Sequence, residues 1–314
     1  YQEQGIAEIG TESPHAVTIP GAIDAWCRIL EDYGTKSLEE LLRPAIDKAE
    51  NGYVVMDRIA FDFANAADRV RTDEYLSALF MPDGKPLPPG VKHRQPRLAE
   101  TLKRIASEGR AGFYEGPVMA DIVNRLKELG GLQEPEDFEN QMCEYVEPIH
   151  TAFRGHEVYE CPPNGQGLAA LMMMRALDGY DIPNGYSQAD IVHLFAEITK
   201  MAYAARDTVF GDPEFTDVPV EYLLSDERAE WARGRISMDQ ASRANRWNGV
   251  EHKDTTYLSV VDEDRNAISF INSLFRGFGS CIMAPESGVI LHNRGISFRI
   301  DPAHANRIEP GKRP

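Results

Sequence analysis

The chain has 314 residues and carries 33 Lys and Arg against 50 Asp and Glu, a formal net charge of −17. That length holds one large domain or two ordinary ones around a buried core. So acidic a surface repels phosphate backbones and anionic lipid, which argues against nucleic acid and the cytoplasmic leaflet as partners.

In chain order, "GAIDAWCRILEDYG" (21–34) has helical spacing of its apolar residues and ends on Gly34. "SLEELLRPAIDKAENG" (37–52) opens with Ser37 and Glu40 at capping-box spacing and stops at Asn51-Gly52. Pro44 is expected to kink or break it. "PDGKPLPPG" (82–90) reads as a surface loop. The basic run "RQPRLAETLKRIASEGR" (94–110) reads as a solvated helix face, with docking of an acidic partner as the alternative. "PVMADIVNRLKELGG" (117–131) begins with Pro and ends with Gly, as helices do. "TAFRGHEVYEC" (151–161) reads as one strand, after which "PPNGQG" turns into a helix over 168–177. The longest helix is expected over 187–207, with Ile191, Leu194, Phe195, Ile198, Met201 and Ala202 on one apolar stripe. Helices thus dominate 20–245 and strands 255–291, a segregation that favours an α+β fold.

Cys27, Cys143, Cys161 and Cys281 are scattered without C-x-x-C spacing. They read as buried thiols rather than a disulfide frame or zinc site. The eight histidines show no paired ligand spacing, so neither metal nor cofactor is expected. No apolar run reaches the length of a bilayer span. The chain opens at "YQEQGIAEIG" without Met or signal peptide and stops abruptly at "RIEPGKRP". A fragment is expected, and the compartment stays open.

The stretch "HKDTTYLSVVDEDRNAISFINS" (252–273) reads as a hairpin, with strands over 255–262 and 266–275 around Glu263-Asp264-Arg265. Asn266 is the candidate for a left-handed conformation near the turn. This closure sets Asp262 opposite Asn266 and Thr255 opposite Ser273, with Cβ atoms about 5 Å apart. A two-residue loop would pair Thr255 with Leu274 instead. A threonine hydroxyl is a weak nucleophile without a base. Cleavage just before it frees an α-amine whose ordinary pKa of about 8 suits it to accept the hydroxyl proton. Thr255 and Thr256 also suit a strand on propensity alone.

"DTTYLSVVDEDRNAISF" resembles the signature of the γ-glutamyltransferases, self-cleaving members of the N-terminal nucleophile hydrolases. That signature is a T-T-x-x-S-V-V-D strand, a turn, then N-A-(V/I)-S. Also similar to the family are "HAVTIPGAIDAW" (15–26), 37–55, "AYAARDTVFGDPEFTDVPVEYLL" (202–224) and "GFGSCIMAPESGVILHNRGISF" (277–298). The resemblance implies a four-layer αββα sandwich, incomplete here. Residues 1–254 would form a large-subunit-like, mostly helical segment, and 255–314 would begin the small catalytic one. It further implies self-cleavage between Asp254 and Thr255, with Thr255 as nucleophile. Ser273 stands where the family has a threonine bonding to the nucleophile's oxygen.

Family members begin before Tyr1 and continue past Pro314, supplying a carboxylate-gripping arginine upstream and a serine pair just after "KRP". The implied partners are a γ-glutamyl amide such as glutathione, water or an amino-acid acceptor, and the chain's own cleaved subunit. Where the family holds the donor's α-ammonium with Asn, Gln and Asp, this chain has Phe275, Arg294 and Ser297. Arg294 would repel an ammonium at a cost of about 1–4 kcal/mol. A glutaryl-type acyl group, with a carboxylate for Arg294, is therefore the alternative donor. Arg294 facing water is the bland reading, and a non-catalytic unprocessed relative is the third functional one.

Other features carry less. "NGQG" (164–167) permits a tight strand-to-helix turn and precedes no P-loop lysine. "GFGS" (277–280) lacks the third glycine of a dinucleotide fingerprint. His252 is read as a linker residue rather than a triad base, and "LMMMRAL" (171–177) as a core stripe.

Overall fold

The computed structural model describes residues 1, 5–243 and 255–314. Its helices are α1 (Ala22–Tyr33), α2 (Leu38–Asn51), α3 (Asp57–Asn65), α4 (Ala67–Val70), α5 (Glu74–Phe80), α6 (Pro96–Glu108) and α7 (Ala111–Tyr114). Then come α8 (Gly116–Glu128), α9 (Pro135–Glu139), α10 (Gly167–Leu177), α11 (Ile182–Gly185), α12 (Gln188–Val209), α13 (Val220–Leu223) and α14 (Asp226–Arg233). The strands pair two by two and antiparallel: β1 (Tyr53–Val54) with β2 (Lys92–His93), β3 (Ile149–Phe153) with β4 (His156–Glu160), and β5 (Thr256–Val261) with β6 (Ala267–Asn272).

Local chemistry sets most of these boundaries. The Ser37 hydroxyl accepts the Glu40 N–H at 3.1 Å and starts α2. The returning half of that capping box is not made, because the Glu40 carboxylate takes Lys36 Nζ at 2.5 Å. Ser187 and Asp190 complete a full box at the start of α12. Of the two outcomes expected at Pro44, a break does not occur, and α2 runs through it. Losing one helical hydrogen bond is offset where Leu38 and Leu42 pack against the main core.

Four further expectations need correction. Residues 151–161 are not one strand. Arg154 and Gly155 both take positive φ, 52° and 77°, and reverse the chain so that Phe153 pairs with His156. A two-residue turn with both central residues left-handed matches the twist of its flanking strands. Strand structure after 255 stops at Asn272, and most of 273–291 is irregular. In α12 the stripe buries Leu194, Ile198 and Ala202, whereas Phe195 is exposed. Of the four thiols only Cys281 is buried; Cys27 and Cys143 are half-buried and Cys161 is exposed.

The chain divides into two compact units. One unit is Ile9–Glu144 with Glu251–Ile296. Its main core joins Ile105, Phe113, Tyr114, Ile122, Leu126 and Phe138 to Val17, Ile23, Ile282 and Leu291. Tyr114 Oη donates to the Pro20 carbonyl at 2.6 Å and accepts the Asp24 N–H at 3.2 Å, which satisfies a deeply buried phenol. A second cluster brings Val70, Leu76 and Phe80 against Cys281, Met283 and Phe278. The segment after β6 is therefore part of the core of the N-terminal helices. The other unit is Tyr1–Glu8, Tyr145–Val250 and Ser297–Pro314. It packs Leu168 and Met172 of α10 against Ala202, Phe210 and Leu223. Its Asp212 carboxylate is buried and accepts from the Arg313 backbone and guanidinium.

Candidate active site

Thr255 stands at the mouth of β5, one residue before the ladder begins. The observed register runs from Thr256 opposite Asn272 to Val261 opposite Ala267. Asp262 then donates its N–H to the Asn266 carbonyl at 3.1 Å, as the three-residue closure requires. Arg265, rather than Asn266, takes the left-handed conformation, with φ 66°. Asn266 is held instead by the Asp262 carboxylate, which accepts its backbone N–H and its side-chain amide at 2.8 Å each. Those bonds from Asn266 hold the exposed Asp262 carboxyl below its ordinary range.

This register brings Thr255 and Ser273 together, and their hydroxyl oxygens lie 3.0 Å apart. Ser273 Oγ also accepts the Phe275 N–H at 2.9 Å. Either hydroxyl of the Thr255–Ser273 pair can be the donor in their contact. Phe275 is buried and takes φ 77°, an unusual conformation for an aromatic residue. The Arg294 guanidinium carbon lies 5.0 Å from the centre of the Phe275 ring. Of the two readings of Arg294, the chain shows it stacked and half-buried rather than free in water. Burial pulls its pKa below the ordinary value, and among the described residues no carboxylate pairs with it. Ser297 ends the short 3-10 turn that Arg294 begins. Its carbonyl accepts from Asn306 Nδ2 at 2.9 Å. Asp254 and His252 lie outside the described residues.

Residues outside the hairpin signature fix this arrangement. Asn293, fully buried, accepts the Arg276 N–H at 3.2 Å through its side chain and donates its own N–H to the Leu274 carbonyl at 3.2 Å. Its amide nitrogen reaches the Thr11 carbonyl, also at 3.2 Å. His292 donates from Nε2 to the Thr18 carbonyl at 2.9 Å and accepts the Arg294 N–H on Nδ1 at 3.1 Å. A carbonyl only accepts and an amide N–H only donates, so these partners require the neutral Nε2–H form. Burial, reinforced by the nearby Arg294 charge, pushes the His292 pKa down to about 4.

Arg69 of α4 donates to Glu12 at 2.6 Å and to the carbonyls of Gly277 and Gly279 at 2.8 Å each. Three non-glycine residues of this loop, Phe275, Phe278 and Cys281, hold positive φ. Each costs about 1 kcal/mol, so the loop persists only because its surroundings over-determine it. Among the described residues no three His, Cys, Asp or Glu side chains gather to hold a metal, and no helix is long and apolar enough to cross a membrane.

The fold is that of the N-terminal nucleophile hydrolases, and the crystal structure of cephalosporin acylase from Bacillus halodurans superposes with a TM-score of 0.89. That chain is 34% identical; the match covers 99% of this chain and 58% of that one. Residues 1–314 match the family described as gamma-glutamyltranspeptidase, and the chain belongs to that family. It is 36% identical over 299 residues to the glutathione hydrolase-like YwrD proenzyme of Bacillus subtilis, covering 95% of this chain and 56% of that protein. It is 37% identical over 301 residues to the acylase ACY 1 proenzyme of Pseudomonas sp. strain SE83, covering 95% and 54%. The chain thus spans little more than half the length of the curated relatives it matches.

Proposed function

We propose that the protein carrying this chain is a self-processing N-terminal threonine hydrolase or transferase, acting on γ-glutamyl amides such as glutathione. The observation that carries this reading is the 3.0 Å contact between Thr255 Oγ1 and Ser273 Oγ at the mouth of β5, in a member of this family. Hydrolysis of the peptide link between Asp254 and Thr255 releases a large-subunit-like segment ending at 254. A catalytic segment then starts at 255 with a free α-amine. That amine takes the proton from Thr255 Oγ1 as the oxygen attacks the donor's amide carbonyl. Ser273 donates to the threonine oxygen and orients it. The proton passes to the departing amine as the C–N bond breaks, leaving an acyl ester on Thr255. Water or an amino-acid amine then resolves the ester.

The test is a denaturing gel and a turnover assay on the full-length protein. Two bands summing to the whole chain are expected, with a single band and an activity loss of about a thousandfold for Thr255→Ala. An unprocessed wild type, or undiminished turnover in that variant, overturns the mechanism. The unprocessed outcome would favour the inert-precursor reading.

A second reading of the donor rests on Arg294. Its guanidinium, stacked on Phe275 and without a carboxylate partner among the described residues, suits an acyl group ending in an anion rather than one bearing an α-ammonium. The similarity to an acylase proenzyme supports this glutaryl-type reading. Rates on a glutaryl anilide and a γ-glutamyl anilide decide between the donors. The anion-pocket reading expects a preference of about tenfold for the glutaryl compound, from one charge-assisted pair. A strong preference for the γ-glutamyl compound removes the anion pocket.

A further inference from the structure

We propose that Arg69 is a positioning residue that sets the binding of the acyl donor, although its own bonds go to neither Phe275 nor Arg294. This inference rests on the donor wall proposed above. The loop between Ser273 and Asn293 carries left-handed residues at 275, 278, 279 and 281. Its own turn bonds, such as Gly279 N–H to the Arg276 carbonyl and Cys281 N–H to the Phe278 carbonyl, hold part of it, and strained residues persist where further contacts over-determine them. Arg69 supplies such contacts. Its two terminal nitrogens fork onto the carbonyls of Gly277 and Gly279 at 2.8 Å each, and its Nε donates to Glu12 at 2.6 Å.

The Glu12 side chain in turn takes the Thr11 hydroxyl, and the Thr11 carbonyl takes the Asn293 amide at 3.2 Å. Asn293 closes the ring by accepting the Arg276 N–H, next to Phe275. Through this ring Arg69 fixes both ends of the wall: Phe275 by the loop, and Arg294 by its chain neighbour Asn293. Glu12 is held ionised for the purpose. Burial would raise its carboxyl pKa, but the bonds from Thr11 and Arg69 and the charges of Arg69 and Arg276 outweigh burial and lower it. Arginine is the side chain that fits this place, since a rigid fork holds two carbonyls and a carboxylate at once and a lysine's point charge does not.

The experiment uses the full-length processed enzyme and whichever anilide the wild type prefers. Arg69→Lys is expected to raise KM by about tenfold while kcat stays within about threefold and the two-band pattern is kept. A KM within about twofold of wild type overturns the proposal, and so does a loss of folded protein with KM unchanged in the remainder. If Arg69→Lys does not fold, Glu12→Gln serves instead. It keeps an acceptor but removes the charge, so a KM increase of about threefold is expected and none overturns the proposal. In an Arg294→Gln background the effect of Arg69→Lys should shrink to about twofold or less, because both act on one wall; full multiplicative effects overturn the coupling. Preference of the wild type for the γ-glutamyl anilide would sink the anion reading alone, since the Arg69 effect is then read on that donor.

Discussion

The hairpin β5–β6 and the segment 274–293 meet at Ser273 but keep their shapes by different means. The hairpin is a regular ladder whose main-chain bonds satisfy one another, while Tyr257, Leu258, Val260, Val261 and Ile271 stay exposed. In the following segment a single isolated bridge pairs Met283 with Ile290. Its Cys281, Ile282, Met283, Ala284 and Leu291 are nonetheless buried in the core of the N-terminal helices. Its polar backbone is satisfied partly by its own turns, such as Ser280 N–H to the Leu291 carbonyl and Leu291 N–H to the Ile282 carbonyl, and partly by side chains, Arg69, Asn293 and the Ser280 hydroxyl among them. The hairpin's shape is set by its own ladder, whereas the loop combines a few turn bonds of its own with side-chain clamps from the surrounding core. The two proposed catalytic hydroxyls belong to the first region, and the proposed donor wall to the second.

The sharpest way to break this contrast is to fill the space the loop closes on. Gly279 has φ 54°, and a Cβ there would run into the Leu291 carbonyl oxygen and lie 2.9 Å from the His292 Cα. Both contacts are backbone and cannot swing aside. Gly279→Ala is expected to cost about 3 kcal/mol, from left-handed strain and overpacking together. Urea unfolding reads the difference directly. A loss under about 1 kcal/mol would show that the loop gives way freely and is not held as described.

His292 offers a second probe of comparable size. Its folded pKa of about 4 lies below the ordinary 6.5, so the unfolded chain binds the extra proton between those values. Stability therefore falls as pH drops from about 6.5 to 4 and flattens below, where both states are protonated. The full difference is about 3 kcal/mol at 1.36 kcal/mol per unit. Protonation places a second donor on Nδ1, against the Arg294 N–H it now accepts. In His292→Gln that part of the pH slope should vanish. An unchanged slope would assign the acid sensitivity to other groups.

These differences also explain what the sequence made legible. The hairpin register follows from a closing loop of known length and the period of two, so counting back from Asp262 reached the pairing of Thr255 with Ser273. The turn at Arg154-Gly155 was missed because a lone glycine inside a strand pattern signals a reversal only weakly. Arg294 was visible as a departure from the family pattern, but its place over Phe275 was not. The clamps were invisible for a general reason. A side chain that bonds to a backbone carbonyl leaves no mark on its partner's identity, since every residue has a carbonyl. Arg69 reaches Gly277 across 208 residues and His292 reaches Thr18 across 274, where no periodicity operates.

The smallest expected effect tests the other side of the contrast. Val260 lies opposite Ile268 in the ladder, and both are exposed. Replacing an exposed β-branched apolar residue with threonine keeps the strand propensity and the χ1 restriction, and it deprives no buried neighbour of contact. Val260→Thr in the 314-residue chain should therefore change stability by less than about 0.5 kcal/mol, well below the Gly279→Ala cost. Urea midpoints of the two variants, measured side by side, give the comparison. A loss above about 1.5 kcal/mol at Val260 would mean that this face of the hairpin is covered in solution, since the hydroxyl penalty arises only where water is excluded.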